Sequence, residues 1–331
     1  MFTFFLRTAI RFATVFLFGS TGETITEKSG HLNLGTPGVM CIGAFGGCAG
    51  ITLYLSAVGG TDNANGFLVV LIGILACILC GGLCGVLYSF LTVTLKCNQN
   101  VTGLTLTTFG IGLNSFGFSA LIKMANNYAS SHSGPGIYIA NVSNYFGKLF
   151  PVTVGNNAFV DIFLSYGILV YLAIIISVVA SIFIKHTRVG LNLKAVGENP
   201  ATADAAGINV TAYRYIFTVI GCAIASLGGL FFIMDYLGGN IEYKIDEYGW
   251  LAVAIVIFSM WKPDLGIIAS FIFSALYMAP FCFSFNPIQQ KAFALTPYLL
   301  TIIVLIVVSI FNKRNVQPPE GLGISYDREK R

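Results

Sequence analysis

Charged residues are scarce in this sequence: Asp, Glu, Lys and Arg make up 10% of its 331 residues, whereas 56% are hydrophobic. A soluble domain typically carries about a quarter charged residues. Too few polar side chains are present to cover a water-soluble globule, so much of the surface must contact lipid. The net charge is only +4, and the basic residues are dispersed rather than gathered into a stripe with interleaved aromatics. This distribution gives no support to nucleic-acid binding.

Motifs of common catalytic sites are also missing from the sequence. It has no glycine-rich loop followed by Lys-Ser/Thr for ATP, no His-Glu-x-x-His pattern, no nucleophile elbow and no paired carboxylates in the predicted spans. We therefore expect neither an intramembrane enzyme nor a cofactor. If ATP powers this protein, another polypeptide must hydrolyse it.

The eight cysteines do not predict a disulfide framework, because seven lie within apolar stretches and Cys97 follows one. Cys77, Cys80 and Cys84 share one helical face. A continuous helix with no nearby His or carboxylate makes a poor tetrahedral site. We expect these thiols to be small apolar packing residues, and we expect no metal.

Long uncharged runs predict an all-α polytopic membrane protein, because a membrane-spanning helix needs roughly twenty mostly apolar residues. We predict about nine transmembrane segments, in a range of roughly eight to ten. The clear runs are Gly38–Val58, Gly66–Leu95, Gly103–Ile122, Ile162–Ile184, Tyr215–Met234, Leu265–Gln290 and Ala292–Asn312. Tyr248–Trp261 is shorter and is followed by Pro263, which indicates a broken helix over 248–264. Phe2–Gly22 is the weakest segment, because Arg7 and Arg11 interrupt it.

The distribution of basic residues predicts the orientation. With nine crossings, twelve Lys and Arg residues fall on the side of the C-terminus and six on the other side, where Arg7 and Arg11 oppose the trend. The positive-inside rule then makes the C-terminal side cytoplasmic. We expect one transmembrane domain over 1–312, with a cytoplasmic loop at 185–214 and an external loop at 125–160, followed by a cytoplasmic tail at 313–331. A segment that does not cross would change the parity, so the exact count and the side of the N-terminus stay open.

The stretch Gly22–Gly38 interrupts two apolar runs with several polar residues and a Gly-Thr-Pro-Gly sequence. Irregular backbone near membrane depth is tolerated only where it is buried in protein or lines a wet cavity. One alternative is an ordinary polar loop. The other is a broken or re-entrant helix over Ser29–Gly38 beside a translocation path. A second break near 248–264 would fit inverted structural repeats.

The stretch Gly197–Val210 predicts a short helix in the cytoplasmic loop. Asn199 is a favourable N-cap, Pro200 suits the first helical position, and Gly207 suits a left-handed C-cap. A helix over Asn199–Ala206 is about two turns long and would be marginal alone. Its Ala-rich surface suits docking on another protein, and packing against the same chain is the alternative.

These segments resemble the permease subunits of ABC importers for ribose, other simple sugars, nucleosides and branched-chain amino acids. Arg11–Phe45 resembles their first span and the break after it, above all in the nucleoside branch. His186–Val210 resembles their cytoplasmic coupling loop over its whole length, which is the most specific match. The part from Gly228 to the basic tail matches in order and spacing, so the resemblance covers nearly the whole chain.

The resemblance implies a multi-pass protein of the cell membrane that passes a small polar solute, with a nucleoside expected first and a simple sugar second. The implied partners are an ABC ATPase subunit, a second permease that is identical or paralogous, and an external substrate-binding lipoprotein. Together with the capping and charge arguments, it assigns coupling to the ATPase to Gly197, Glu198, Asn199, Pro200, Ala203, Asp204, Ala206 and Gly207. It assigns a place near the translocation path to Asn33, Leu34, Gly35 and Gly38.

Two departures from the nucleoside branch leave the cargo open. Thr36-Pro37 stands where that branch commonly has Leu-Glu, and Val15 stands where it commonly has Pro. The alternative function is an ion-coupled secondary transporter. Such proteins usually need ionisable groups inside the bilayer. The central spans contain none, because Lys123, Asp161, Asp235 and Lys291 all lie at span ends.

Overall fold

The structure is a computed structural model that describes residues 2–132, 134, 136–147, 158–241, 245–283, 286–311 and 317–327. The first half of these residues forms helices α1 (Phe2–Lys28), α2 (Thr36–Val58), α3 (Gly66–Ser89), α4 (Gln99–Ser131), α5 (Ile139–Val142), α6 (Asn144–Gly147) and α7 (Ala158–Phe163). The second half forms α8 (Ile168–His186), α9 (Arg188–Glu198), α10 (Pro200–Ala205), α11 (Val210–Phe231), α12 (Asp246–Phe258), α13 (Pro263–Cys282), α14 (Pro287–Ala294) and α15 (Thr296–Phe311). Short π-helical turns extend α3 to Thr94 and α11 to Tyr236.

Seven helices of the described ranges are long and apolar enough to cross a membrane: α1, α2, α3, α4, α8, α11 and α13. The apolar helices α12 and α15 are shorter, with 13 and 16 residues. The predicted all-α polytopic membrane fold is therefore confirmed. Its centre is formed by α1, α2, α3 and α11, which pack side by side.

The first span differs from its predicted bounds. We expected it to end near Gly22, but α1 continues without a break to Lys28 and carries Glu23 and Glu27 within it. Both carboxylates are buried, at 1% and 3% exposure. The predicted end of the first span at Gly22 is therefore wrong, and two acidic residues one helical turn apart lie inside α1. Hydrogen-bond donors from later parts of the chain replace the water that these carboxylates lose on burial.

Contacts between remote residues define one end of the helical bundle. The amide of Leu32, between α1 and α2, donates to Gln99 Oε1 at the start of α4 over 2.8 Å. The indole of Trp261, between α12 and α13, donates to Glu27. Lys185, at the end of α8, lies 2.8 Å from Asp264 at the start of α13. We call the segment 29–35 the break segment and this side of the bundle the break end.

At the opposite end of the bundle, Arg11 of α1 forms an ion pair. Arg11 Nε lies 2.9 Å from Asp235 Oδ1, and its guanidinium also donates to the Asp235 carbonyl. The π-helical turn at the end of α11 carries Asp235, whose side chain is fully buried. Arg11 opposed the orientation predicted from the basic residues, and in the folded chain a carboxylate offsets its charge.

Candidate functional site

The break segment is held by the side chain of Asn33. Its Oδ1 accepts from the amide of Gly35 over 2.9 Å, which closes a tight turn just before α2 begins at Thr36, with Pro37 in its first turn. The Asn33 backbone amide and Nδ2 both donate to the Glu23 carboxylate, over 3.2 and 3.3 Å. Thr36 Oγ1 donates to the same carboxylate. One buried acidic side chain of α1 thus organises the turn between α1 and α2.

The side chains of the break segment alternate between the interior and an accessible side. His31 and Asn33 are buried, whereas Leu32 and Leu34 are partly exposed. The carbonyl of Leu34 accepts from Thr107 on α4 over 2.9 Å. Of the four predicted path residues, only Leu34 therefore presents an accessible side chain; Asn33, Gly35 and Gly38 lie in the packing between α1, α2 and α4.

His31 joins the break segment to α11. Its Nδ1 lies 2.8 Å from Thr218 Oγ1. Burial, and then the nearby Arg214, lower the pKa of His31 to about 3. The imidazole is therefore neutral at physiological pH and acts as a fixed hydrogen-bonding group.

The short helix α10 has the caps that the sequence predicts. Asn199 Oδ1 accepts from the amide of Thr202 over 3.0 Å, and Pro200 occupies the first helical position. Gly207 follows the helix with a left-handed φ of +84°, and a side chain there would meet open space. The helix covers Pro200–Ala205, within the predicted Asn199–Ala206.

The two sides of α10 face different surroundings. Ala203 is 3% exposed and packs against Val196 and Val210 of the same chain. We had expected Ala203 to lie on the docking surface, and its burial instead makes it an anchor of α10. The outward residues are Ala201, Thr202, Ala205, Ala206 and Gly207. Packing against the same chain therefore describes the inward face of this helix, and docking on another protein stays a prediction for the outward face.

The end of α9, which carries the predicted coupling residue Gly197, meets the break segment through the backbone. Gly30, in the break segment, contacts the Cα of Gly197 at the end of α9. Residues 317–327, which we call the tail segment, lie against both: the Gly321 amide donates to Gly197 O over 2.9 Å, and the Gly323 amide donates to Gly30 O over 3.2 Å. From the sequence, we predicted only that this tail is cytoplasmic. The Pro-Pro and Gly-Leu-Gly sequences after its basic residues were the available signal of an ordered turn.

A family model described as "Branched-chain amino acid transport system / permease component" matches residues 5–310. The chain belongs to this permease family. The predicted family is therefore confirmed over nearly the whole chain. With at least seven apolar helices of spanning length, the permease is a multi-pass protein of the plasma membrane.

Several curated relatives align with the permease along almost their whole length. A putative glucose ABC transporter permease, TsgC13 of Haloferax volcanii, is 30% identical and covers 98% of this chain and 97% of its own. The nucleoside ABC transporter permease NupC of Lactococcus lactis is 26% identical over 96% and 95%. The guanosine ABC transporter permease NupQ of Bacillus subtilis is 24% identical over 97% and 95%. No solved structure matches this chain.

These relatives are transport components rather than enzymes, and this permease is one by family. An ATPase and a substrate-binding protein accompany such permeases in general. Membership also weighs against an ion-coupled secondary transporter, although α1 carries the two buried carboxylates of Glu23 and Glu27.

Proposed function

We propose that this permease forms the translocation path of an ATP-driven importer and couples to a separate ATPase through residues 197–207. The observation that supports this most is the position of α10. Its outward face is exposed at the break end, while its inward face is anchored by Ala203. The helix that would receive force from a partner, α10, is therefore packed against α9 and the start of α11.

The small size of α10 determines what the contact can do. Six residues with small outward side chains bury too little area for a stable complex alone. They suit a close contact that transmits a rigid-body movement from the ATPase to the spans on either side of the loop. Glu198 is partly exposed beside the helix and supports electrostatic steering of the encounter more than affinity.

The break segment is the part of this chain that we assign to the path. Leu34 presents the accessible side chain beside the start of α4, and Asn33, Gly35 and Gly38 hold its backbone in place. A second permease, identical or paralogous, completes the path on the other side. An external substrate-binding lipoprotein delivers the solute.

We propose a nucleoside as the first candidate cargo and a simple sugar as the second. Two of the relatives above are named for nucleosides or guanosine, and one is named for glucose. The departures at Thr36, Pro37 and Val15 lie near the break segment and in α1. They are the positions at which we expect this permease to differ from its nucleoside relatives.

The test begins with purification of the permease from its own membranes in mild detergent and mass spectrometry of the accompanying chains. We expect an ABC ATPase and a substrate-binding lipoprotein. The same complex in proteoliposomes is then given labelled uridine, guanosine, glucose and leucine with ATP inside. Uptake of uridine or guanosine supports the nucleoside assignment, and uptake of glucose alone replaces it with the sugar.

Two substitutions of matched size test the role of α10. Ala206→Trp places a large side chain on its exposed face, and Asn126→Trp does the same at the far end of α4. We expect Ala206→Trp to remove the ATPase during purification and to abolish uptake. Asn126→Trp should leave the ATPase in place. Normal association of the ATPase with the Ala206→Trp permease would show that α10 is not the coupling helix.

A further inference from the structure

The tail segment crosses the break end and contacts five separate parts of the chain. It meets the break segment at Gly30 and the end of α9 at Gly197. It meets α11 where Arg214 Nη1 donates to Ile324 O over 2.9 Å. Lys96, after α3, lies 2.9 Å from Asp327 Oδ2. These contacts place the tail segment between the helices of the membrane domain and the loop that carries α10.

Three glycines make the central contact possible. At Gly30, a Cβ would lie 3.2 Å from both the Cα of Gly197 and the carbonyl oxygen of Gly321, and the residue also has a left-handed φ of +78°. At Gly321, a Cβ would lie 2.7 Å from Gly197 O and 3.2 Å from Pro200. The backbones of the break segment, α9 and the tail segment therefore approach one another more closely than any side chain would allow.

The tail segment also holds α10 directly. The ring of Tyr326 packs against the cluster formed by Val196, Ala203 and Val210. Its hydroxyl donates to Asp204 Oδ2 over 2.8 Å. One residue thus holds the inward side of α10 by an apolar contact and its flank by a charge-assisted hydrogen bond, which is stronger than a neutral one.

The spacing of these contacts leaves little slack in the tail segment. Gly321 and Gly323 are hydrogen-bonded to Gly197 and Gly30, and they are two residues apart. Two residues span at most about 7 Å of extended chain. A displacement of the α9–α10 loop must therefore pull on the break segment or break one of these hydrogen bonds.

We propose that the tail segment is a strap that transmits the movement of α10 to the break segment. This inference rests on the proposed function, in which an ATPase moves α10. The direct contact between Gly197 and Gly30 is not sufficient to transmit this movement. Residues 319–327 of the tail segment are also required for nucleotide-driven movement of the path. Ile324 is 57% exposed on the same surface, so the strap stays accessible beside the docking face of α10.

A cargo-independent experiment follows the break segment by chemical labelling. Leu34→Cys is introduced into a permease in which the exposed Cys97 is changed to Ser, and the complex with its ATPase is treated with a maleimide. The labelling rate is measured without nucleotide and with ATP and vanadate. Coupling between two sites commonly changes affinity by roughly fivefold or more. We therefore expect ATP and vanadate to change the labelling rate by about fivefold in the Leu34→Cys permease with no other change than Cys97→Ser.

The strap is then removed in two ways. A chain that ends after Gln317 lacks all of the contacts above. Tyr326→Ala lacks only the apolar contact and the hydrogen bond to α10. We expect the nucleotide-dependent change in labelling to fall to about onefold in both, while the ATPase still co-purifies. Ser325→Ala, with its exposed side chain in the same segment, should keep the full response. If the shortened chain does not accumulate in the membrane, the labelling response of Tyr326→Ala alone tests the strap.

The outcomes separate this inference from the proposed function. A full labelling response in Tyr326→Ala, with the ATPase bound, would overturn the strap and leave the coupling role of α10 intact. Loss of the ATPase from Tyr326→Ala would also overturn the strap as stated, since the tail segment would then be needed for docking. Two results would refute the movement that the strap is proposed to transmit. One is a permease that binds no ATPase. The other is a labelling rate of Leu34→Cys that is the same with and without nucleotide while the ATPase is bound.

Discussion

Gly207 offers a substitution whose effect comes from backbone conformation alone. It ends α10 with a φ of +84°, and no atom lies within 4 Å of the position that a Cβ would take. A non-glycine residue in this left-handed region costs about 1–2 kcal/mol, and Asn tolerates it better than most residues. Val is β-branched and fits it poorly. Gly207→Val and Gly207→Asn therefore add side chains of similar size with different conformational costs.

The expected magnitude follows from that difference. The Gly207 amide donates to Asp204 O and the Ile208 amide donates to Ala203 O, so the left-handed turn closes the end of α10. A cost of about 1–2 kcal/mol lowers the equilibrium constant for forming this closed end roughly five- to thirtyfold, at 1.4 kcal/mol for each factor of ten. We expect the affinity of the ATPase for the Gly207→Val permease to fall by up to this factor. Gly207→Asn should remain within about threefold of the unaltered chain.

The assay combines two measurements on the purified permease. Titration with the ATPase gives the affinity, and hydrogen exchange over residues 199–210 reports whether α10 is formed. Faster exchange in Gly207→Val than in Gly207→Asn is expected before any ATPase is added. Equal loss of affinity in both variants, with unchanged exchange, would refute the conformational argument, because the side chain itself would then be obstructing the partner.

Four further measurements test other parts of the structure. Ala203→Leu overpacks a buried site, so the free energy of unfolding should fall by about 1–3 kcal/mol, measured as thermal unfolding in detergent. Asn33→Leu removes the Nδ2 donor to the buried Glu23 and the Oδ1 acceptor of the Gly35 amide, and a similar loss of stability is expected. Because the pKa of His31 is about 3 when folded and about 6.5 when unfolded, the unfolded chain binds more protons below pH 6.5. Stability should therefore fall by about 2 kcal/mol between pH 7.5 and 5, and His31→Gln should abolish this part of the pH dependence. A reporter fused at Arg331 that is active only outside the cytoplasm should stay silent, and strong activity would reverse the predicted orientation.

Features set by local sequence rules could be predicted well. The apolar runs identify the spans, and the caps of α10 follow from Asn199, Pro200 and Gly207, because a cap depends on residues within one helical turn. The break between α1 and α2 was also predicted, since polar residues with Gly and Pro rarely continue an apolar helix.

Features set by distant partners could not be predicted from single stretches. The extension of α1 through Glu23 and Glu27 depends on donors such as Asn33 and Trp261, and the latter lies more than two hundred residues away. The burial of Ala203 depends on Val210 and on the position of the tail segment. Likewise, the close contact of Gly30 with Gly197 requires both elements to be placed first. Periodicity and capping rules contain no information on such long-range packing.

The meeting of three glycine backbones at Gly30, Gly197 and Gly321 has a consequence for biogenesis. Gly321 follows all the membrane spans that the structure describes, so ribosomes complete these spans and the α10 loop before this contact can form. A nascent permease that has already entered the membrane therefore still lacks the finished surface at its break end. The order of synthesis itself delays the formation of that surface until translation has passed the last helix.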